Sequence, residues 1–235
     1  MKEKLKKFIK KYYKAIIVFI CLLITMEMVF ALFAKEVMKR DIIGYRLISK
    51  YLISDVTLPI AKLITNFGGV IGLIILAIVV STILIIKKKT LMGILIWVNL
   101  ACSGLLNQIL KRIVQRPRPT EYRLIEENGY SFPSGHSMVS AAFYGFFLYL
   151  IFKNVKNKYI KWSSISFLSL LIILIGISRI YLGVHYTSDV MAGFVISISY
   201  LVIFTSIVND YLDKPKEKDK NLKGEIDEIN RSNGE

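Results

Sequence analysis

The sequence predicts an all-α, integral membrane fold: a bundle of six transmembrane helices with an interfacial helical segment between the first and second. Three observations carry this expectation. Of 235 residues, 54% are hydrophobic. The apolar residues gather into six runs with almost no charge, at 15–33, 67–86, 91–110, 138–152, 163–177 and 190–208. A bilayer core of roughly 30 Å takes about 20 apolar residues per helix, which the shorter runs reach when their flanks are counted. The net charge of +15 is left to the segments between the runs.

Taken in order, residues 1–14 form a basic leader to the first run. That run is longer than the roughly 7 to 15 apolar residues of a secretory signal, and ALFAKE is a poor cleavage site, so it is read as a retained helix. Residues 35–66 are too long for a hairpin loop. Within them Ile42, Tyr45, Ile48 or Ser49, and Leu52 recur at helical spacing against Lys39, Arg40, Arg46 and Lys50, the pattern of a helix lying in the membrane interface. Its expected role is either a packing cap or a lid.

The second and third runs are separated by KKK at 87–89, and the fourth and fifth by KNVKNKYIK. The charged tail, residues 209–235, has too few apolar residues to fold alone and is expected as disordered chain. One transmembrane domain, 15–208, therefore carries the function. With the N-terminus cytoplasmic, 20 of the 32 lysines and arginines lie inside, which places both termini in the cytoplasm and residues 109–137 and 179–189 on the outer face. Cys21 and Cys102 fall within spans and imply no disulfide framework. No nucleic-acid partner is expected, and oligomeric state is left open.

Three clusters on that outer face carry chemistry. In KRIVQRPRP, Lys111 and Arg118 are seven residues apart, two turns on one helical face, and Pro117 and Pro119 end the helix. In FPSGHS, Pro133 and Gly135 make a tight turn, after which the N–H groups of a new helix face any anion, with His136 at that positive end. In SRIYLGVHYTSD, His185 and Asp189 are four apart and share a helical face. The carboxylate there can fix the imidazole tautomer. Gly183 loosens the chain enough for Arg179 and His185 to converge.

Guanidinium groups match phosphate oxygens bidentately, and lysine adds a point charge. The chain has only two histidines, and both fall beside these cations. Two histidines and an aspartate could also ligate a metal, but three fixed cations oppose a divalent ion. Glu27, inside the first span, is a further polar residue that could shape a substrate path.

The pattern resembles the type 2 phosphatidic acid phosphatase superfamily, the lipid phosphate phosphatases, whose signature is K-x6-RP, PSGH and SR-x5-H-x3-D. Lys111 to Pro119, Pro133 to His136 and Ser178 to Asp189 match it at every signature position. The resemblance implies that His185 attacks phosphorus, that Asp189 orients it, and that His136 protonates the leaving alkoxide and then activates water. It assigns Lys111, Arg118, Ser134, Gly135 and Arg179 to the phosphoryl oxygens, with no metal or other cofactor. The expected substrate is a lipid phosphate or lipid diphosphate drawn from the membrane: phosphatidylglycerophosphate, phosphatidic acid or undecaprenyl diphosphate. Vanadate-dependent haloperoxidases share these motifs, but six spans argue against that branch. The alternative outside enzymology is a transporter or flippase for an anionic lipid, which accounts for the cations but not for the spacing of His185 and Asp189.

Overall fold

A computed structural model describes residues 2–34 and 39–232. Among them the chain forms eight helices and no strand: α1 (Lys2–Phe33), α2 (Lys39–Leu52), α3 (Thr57–Asn66), α4 (Val70–Ile86), α5 (Thr90–Val114), α6 (Gly135–Asn154), α7 (Lys158–Tyr181) and α8 (Thr187–Ser232). Five are long and apolar enough to cross a membrane, and α3 with α4 supplies a sixth span bent by 54°. The protein is a multi-pass membrane helix bundle.

The second span starts at Val70 rather than at Phe67, and its cause is local. Gly68 and Gly69 are poor helix formers, and Gly69 is extended at φ −75°, ψ 157°. The carbonyl of Phe67, freed by the break, accepts a 2.8 Å hydrogen bond from the Tyr144 hydroxyl, so the kink leaves no orphan there.

The core is centred on α6. Phe143, Tyr144 and Phe146 pack with Leu73 and Ala77 of α4, Ile96 of α5, Ile175 of α7 and Phe204 of α8. Large apolar side chains also cover the outside of the bundle, among them Phe19, Ile71, Leu105 and Phe167. A helix surface that is apolar on its exposed side is suited to lipid rather than water. The C-terminal ends of α5 and α7 and the N-terminal ends of α6 and α8 meet at one end of the bundle, where α2, α3 and the 115–134 loop also gather.

Two glycines set the packing at that end. Gly183 has φ +68°, and a Cβ there would lie 2.0 Å from the Tyr122 carbonyl oxygen. It makes a tight turn beneath the loop, which Leu124 N–H ties down at 3.0 Å to Leu182 O. This corrects the expectation that Gly183 loosens the chain. Gly193 lets α8 approach the first turn of α6, since a Cβ would meet Met138 N at 3.1 Å and Ser134 O at 3.2 Å.

The interfacial helix is present as α2, where Ile48 packs on the cluster of Ala61, Tyr181, Leu182 and Val184 and Tyr45 stacks on Tyr122. Ile42, Ile43, Leu47 and Tyr51 are exposed, while Asp41 is the buried residue. Gly44 brings α2 against α8, because a Cβ there would clash with the Thr187 side chain. At the other terminus, where composition led to the expectation of a disordered tail, the backbone continues as helix to Ser232. Its many Lys, Glu and Leu residues have high helix propensity.

Candidate active site

Residues from all three motifs, Lys111, Arg118, Gly135, His136 and His185, line one cavity of about 610 Å³. Its far wall is apolar, formed by Leu73, Ile74, Leu100 and Val139. Ser134, Arg179 and Asp189 stand behind this lining, each buried.

The motif residues converge by routes that differ from the helical spacing read in the sequence. Lys111 and Arg118 do not share a helix: α5 ends at Val114, and Gln115 turns left-handed at φ 51°. The loop then folds back, and Arg118 is fixed by the carbonyls of Asn128, Gly129 and Val184 at 3.0 to 3.1 Å. His185 likewise precedes α8 rather than sitting on it. Asp189 lies in the first turn of α8, where Oδ2 accepts the Tyr186 N–H at 2.9 Å and stands 3.5 Å from His185 Nδ1. That separation is longer than a formed hydrogen bond, and Nδ1 has no other partner among the described residues.

On its other side, His185 Nε2 lies 3.1 Å from Arg118 Nη1. A guanidinium only donates, so this contact requires a lone pair on Nε2 and leaves the proton on Nδ1, facing Asp189. Burial is the main cause that lowers the His185 pKa to about 4, outweighing Asp189, which raises it; Arg179 and Arg118 add to the lowering. At neutral pH the imidazole is uncharged, with the Nε2 electron pair turned to Arg118.

An internal anion holds the two arginines. Glu127 hydrogen-bonds Arg179 Nη2 through Oε2, and its Oε1 is 3.7 Å from Arg118 Nη2. Burial works to raise the Glu127 pKa, but the guanidinium charges of Arg179 and Arg118 win and hold it below the ordinary carboxylate range. Arg179 also donates from Nη1 to Thr65 Oγ1 at 2.7 Å, while its buried Nε has no partner among the described residues.

The PSGH turn divides its labour. Ser134 caps α6: its Oγ accepts from the Ser137 N–H at 3.4 Å and from the Ser137 hydroxyl at 3.0 Å, and its own N–H donates to Asp189 O at 3.0 Å. Its N–H and the acceptor side of its Oγ are thus engaged within the protein. The Gly135 and His136 N–H groups occupy the first turn, where a helix has no internal acceptors. Beside them lies Gly69, where a Cβ would stand in ordinary contact with His136 Nε2 at 3.5 Å.

Sequence reasoning missed four residues here: Glu127, Thr65, Arg116 and Asp41. Arg116 donates to Asp189 Oδ1 at 2.6 Å, to Ser188 Oγ at 2.7 Å and to Asp41 Oδ2 at 2.9 Å, and its guanidinium lies 3.9 Å over the Tyr186 ring. The available signal was the doubled Arg-Pro of QRPRP, of which only the second arginine fits the motif. Glu27, by contrast, is exposed and pairs with Arg40 at 3.1 Å, away from this cavity.

Known proteins share both this sequence pattern and this fold. Phosphatidylglycerophosphatase B of Bacillus subtilis (strain 168) is 36% identical over 143 residues, 60% of this chain and 69% of that protein. Lipid A 1-phosphatase of Rhizobium etli is 31% identical over 126 residues; this chain spans about half of that relative, 50% of its length. The crystal structure of a transmembrane PAP2 type phosphatidylglycerolphosphate phosphatase from Bacillus subtilis matches with TM-score 0.72 at 26% identity, over 82% of this chain and 96% of that one. A sequence profile of the PAP2 superfamily matches residues 92–213, the stretch that carries every motif residue of the cavity. The chain therefore belongs to the PAP2 superfamily, as a multi-pass membrane lipid phosphate hydrolase.

Proposed function

We propose that the protein removes phosphate from a lipid phosphate or diphosphate at the outer membrane face through a phosphohistidine on His185. One observation carries this reading. The unprotonated Nε2 of His185 borders a cavity whose two arginines already hold a carboxylate, so a nucleophile and an oxyanion seat adjoin. A phosphoryl group in place of the Glu127 carboxylate would meet Arg118, Arg179 with its unpartnered Nε, Lys111 and the first-turn amides of α6.

The bonds balance in two steps. The Nε2 lone pair forms an N–P bond as the P–O bond to the lipid breaks, and a proton from His136 goes to the departing oxygen. His136 then takes a proton from water, the resulting hydroxide attacks phosphorus, and the P–N bond breaks to release inorganic phosphate. Charge spread over the equatorial oxygens is met by fixed donors, the arrangement that most lowers such barriers. Three cations supply this field from the chain itself, so turnover is expected to survive a chelator.

The lysine and arginine asymmetry supports cytoplasmic termini and an outer site. The apolar wall of the cavity supports an acyl or isoprenyl chain beside the phosphate. Among phosphatidylglycerophosphate, phosphatidic acid and undecaprenyl diphosphate, similarity to the B. subtilis enzyme named for the first favours it. The test is phosphate release by purified protein from each lipid, with chelator present, together with trapping of labelled phosphoryl on the chain. The reading requires an acid-labile label that vanishes in His185→Ala; release undiminished in that variant would sink it.

A further inference from the structure

Arg116 and Asp41, which the phosphatase motifs do not include, form a unit with the motif carboxylate Asp189. The Arg116 guanidinium spans two carboxylates, both buried: Asp189 of α8 at 2.6 Å and Asp41 of α2 at 2.9 Å. The second oxygen of Asp41 accepts the Ser188 N–H at 2.7 Å, in the first turn of α8 and one residue from Asp189. Gly44, one turn along α2, permits this approach by leaving room for Thr187. Burial works against the Arg116 charge, yet Asp189 and Asp41 outweigh it and hold the group above its ordinary pKa.

This placement is costly without a purpose in orientation. An anion on a buried helix face is rare unless it is paired and hydrogen-bonded, and here both of its oxygens are used on the site. The face of α2 turned the other way carries Ile42, Ile43, Leu47 and Tyr51, all exposed. The inward side carries Ile48, packed on the Tyr181 and Leu182 cluster, Tyr45, stacked on Tyr122, and one buried carboxylate, Asp41, directed onto the support of His185.

We propose that Arg116 and Asp41 are positioning residues for the His185–Asp189 pair, through which α2 sets both the aim and the protonation of the nucleophile. Neither touches the phosphate seat. Arg116 partly neutralises Asp189, which keeps that carboxylate from drawing a proton onto His185. Asp41 restrains Arg116 and lessens that neutralisation. The charged or titratable groups facing His185 are Asp189 on α8, Arg118 on the loop, Arg179 on α7 and His136 on α6, with Lys111 and Glu127 lining the same cavity; those facing Arg116 are Asp189 and Asp41, with the Tyr186 ring beneath it and Glu121 beside that tyrosine.

The charge logic gives opposite signs for the two residues. Arg116→Gln leaves Asp189 less compensated, so His185 is protonated more easily and its titration midpoint rises, by about one pH unit for loss of one charge at this range. Asp41→Asn frees Arg116 for Asp189, and the midpoint falls. Arg116→Lys keeps the charge but loses the two-pronged fork, so kcat drops with the midpoint nearly in place. Loss of an outer hydrogen-bond partner of this kind lowers kcat by about 10- to 100-fold, with KM little changed.

The proposal rests on His185 being the nucleophile, and the experiment keeps the two apart. Because the chain has only two histidines, histidine-labelled full-length protein in lipid nanodiscs gives two imidazole titrations by NMR, assigned with His185→Asn. Midpoints are measured for wild type and the three variants, alongside kcat, KM and unfolding temperature. Opposite shifts in Arg116→Gln and Asp41→Asn, with lowered kcat, support the positioning role. An unmoved His185 midpoint in both variants, whether with full activity or with losses that only follow unfolding temperature, overturns it. Retained activity in His185→Asn would overturn the phosphohistidine reading while leaving these shifts to be judged alone.

Discussion

Replacing Glu127 with Gln tests the oxyanion seat directly. The carboxylate bridges Arg118 and Arg179, so any phosphate entering that seat must first displace it. A hydrogen bond to a charged partner contributes about 1.5–3 kcal/mol. The Glu127 side chain is 26% exposed and the Arg179 side chain 1%, so the pair is sheltered and the lower end of that range is a fair measure of the competition. The amide retains the shape and one acceptor but loses the charge. Removing about 1.4 kcal/mol of competition corresponds to about tenfold tighter binding of an oxyanion. The assay is inhibition by orthovanadate, which mimics phosphate, with inorganic phosphate titrated calorimetrically as a second probe. Glu127→Gln should lower both constants about tenfold. It should also lower the unfolding temperature of the free protein, since the buried Arg179 loses its countercharge, and vanadate should restore more stability to the variant than to wild type. Unchanged or weaker vanadate binding in a folded Glu127→Gln protein would refute the idea that this carboxylate occupies the phosphate seat.

Three further outcomes follow from the same geometry. The His185 pKa is lowered to about 4, so below the ordinary histidine value the unfolded chain binds a proton that the native site refuses; stability should therefore decline as pH falls from about 6.5 towards 4, on the order of 3 kcal/mol in total, and His185→Asn should flatten that part of an unfolding-versus-pH curve. Gly183→Ala places a Cβ in left-handed backbone and against the Tyr122 carbonyl; a loss of at least about 1–2 kcal/mol in stability is expected, read as a lower unfolding temperature, and an unaltered value would show that the 119–124 loop is free to move aside. Asp189→Asn should cost kcat far more than KM in steady-state assays with a lipid phosphate, because the carboxylate supports His185 without lining the substrate cavity; a loss confined to KM would contradict that placement.

The sequence disclosed the helices because lipid imposes a simple rule, a sufficient apolar length, and each expected span coincides with a helix or, for the second, with the bent α3–α4 pair, although α1 starts well before residue 15. Gly68 and Gly69 carry the local cause of the break before α4, but the sequence could not disclose its long-range complement, the Tyr144 hydroxyl that satisfies the freed Phe67 carbonyl across the bundle. The candidate site shows the same division. Lys111, Arg118, His136, His185 and Asp189 were legible because their types and spacing are chemically unusual in an apolar chain. Their convergence was attributed to helical faces, whereas it arises from the left-handed turn at Gln115 and the tight turn at Gly183. Spacing gave the right partners for the wrong geometric reason.

Asp41 shows why the remainder was hidden. On the hydropathy pattern of residues 39–52 it is one more polar position among basic ones, and the apolar stripe beginning at Ile42 reads only as the face of an interfacial helix. In a water-soluble protein such a stripe would seek the core. At a bilayer surface lipid competes for the same face, and the inward side can be chosen by a polar contact instead. Here Asp41 finds Arg116 and the Ser188 N–H inside, while Ile42, Ile43, Leu47 and Tyr51 turn out. A lone carboxylate on an otherwise basic interfacial helix is therefore the more informative residue in such a segment, since its burial needs a buried cation, and the doubled arginine of QRPRP was the place to look for one.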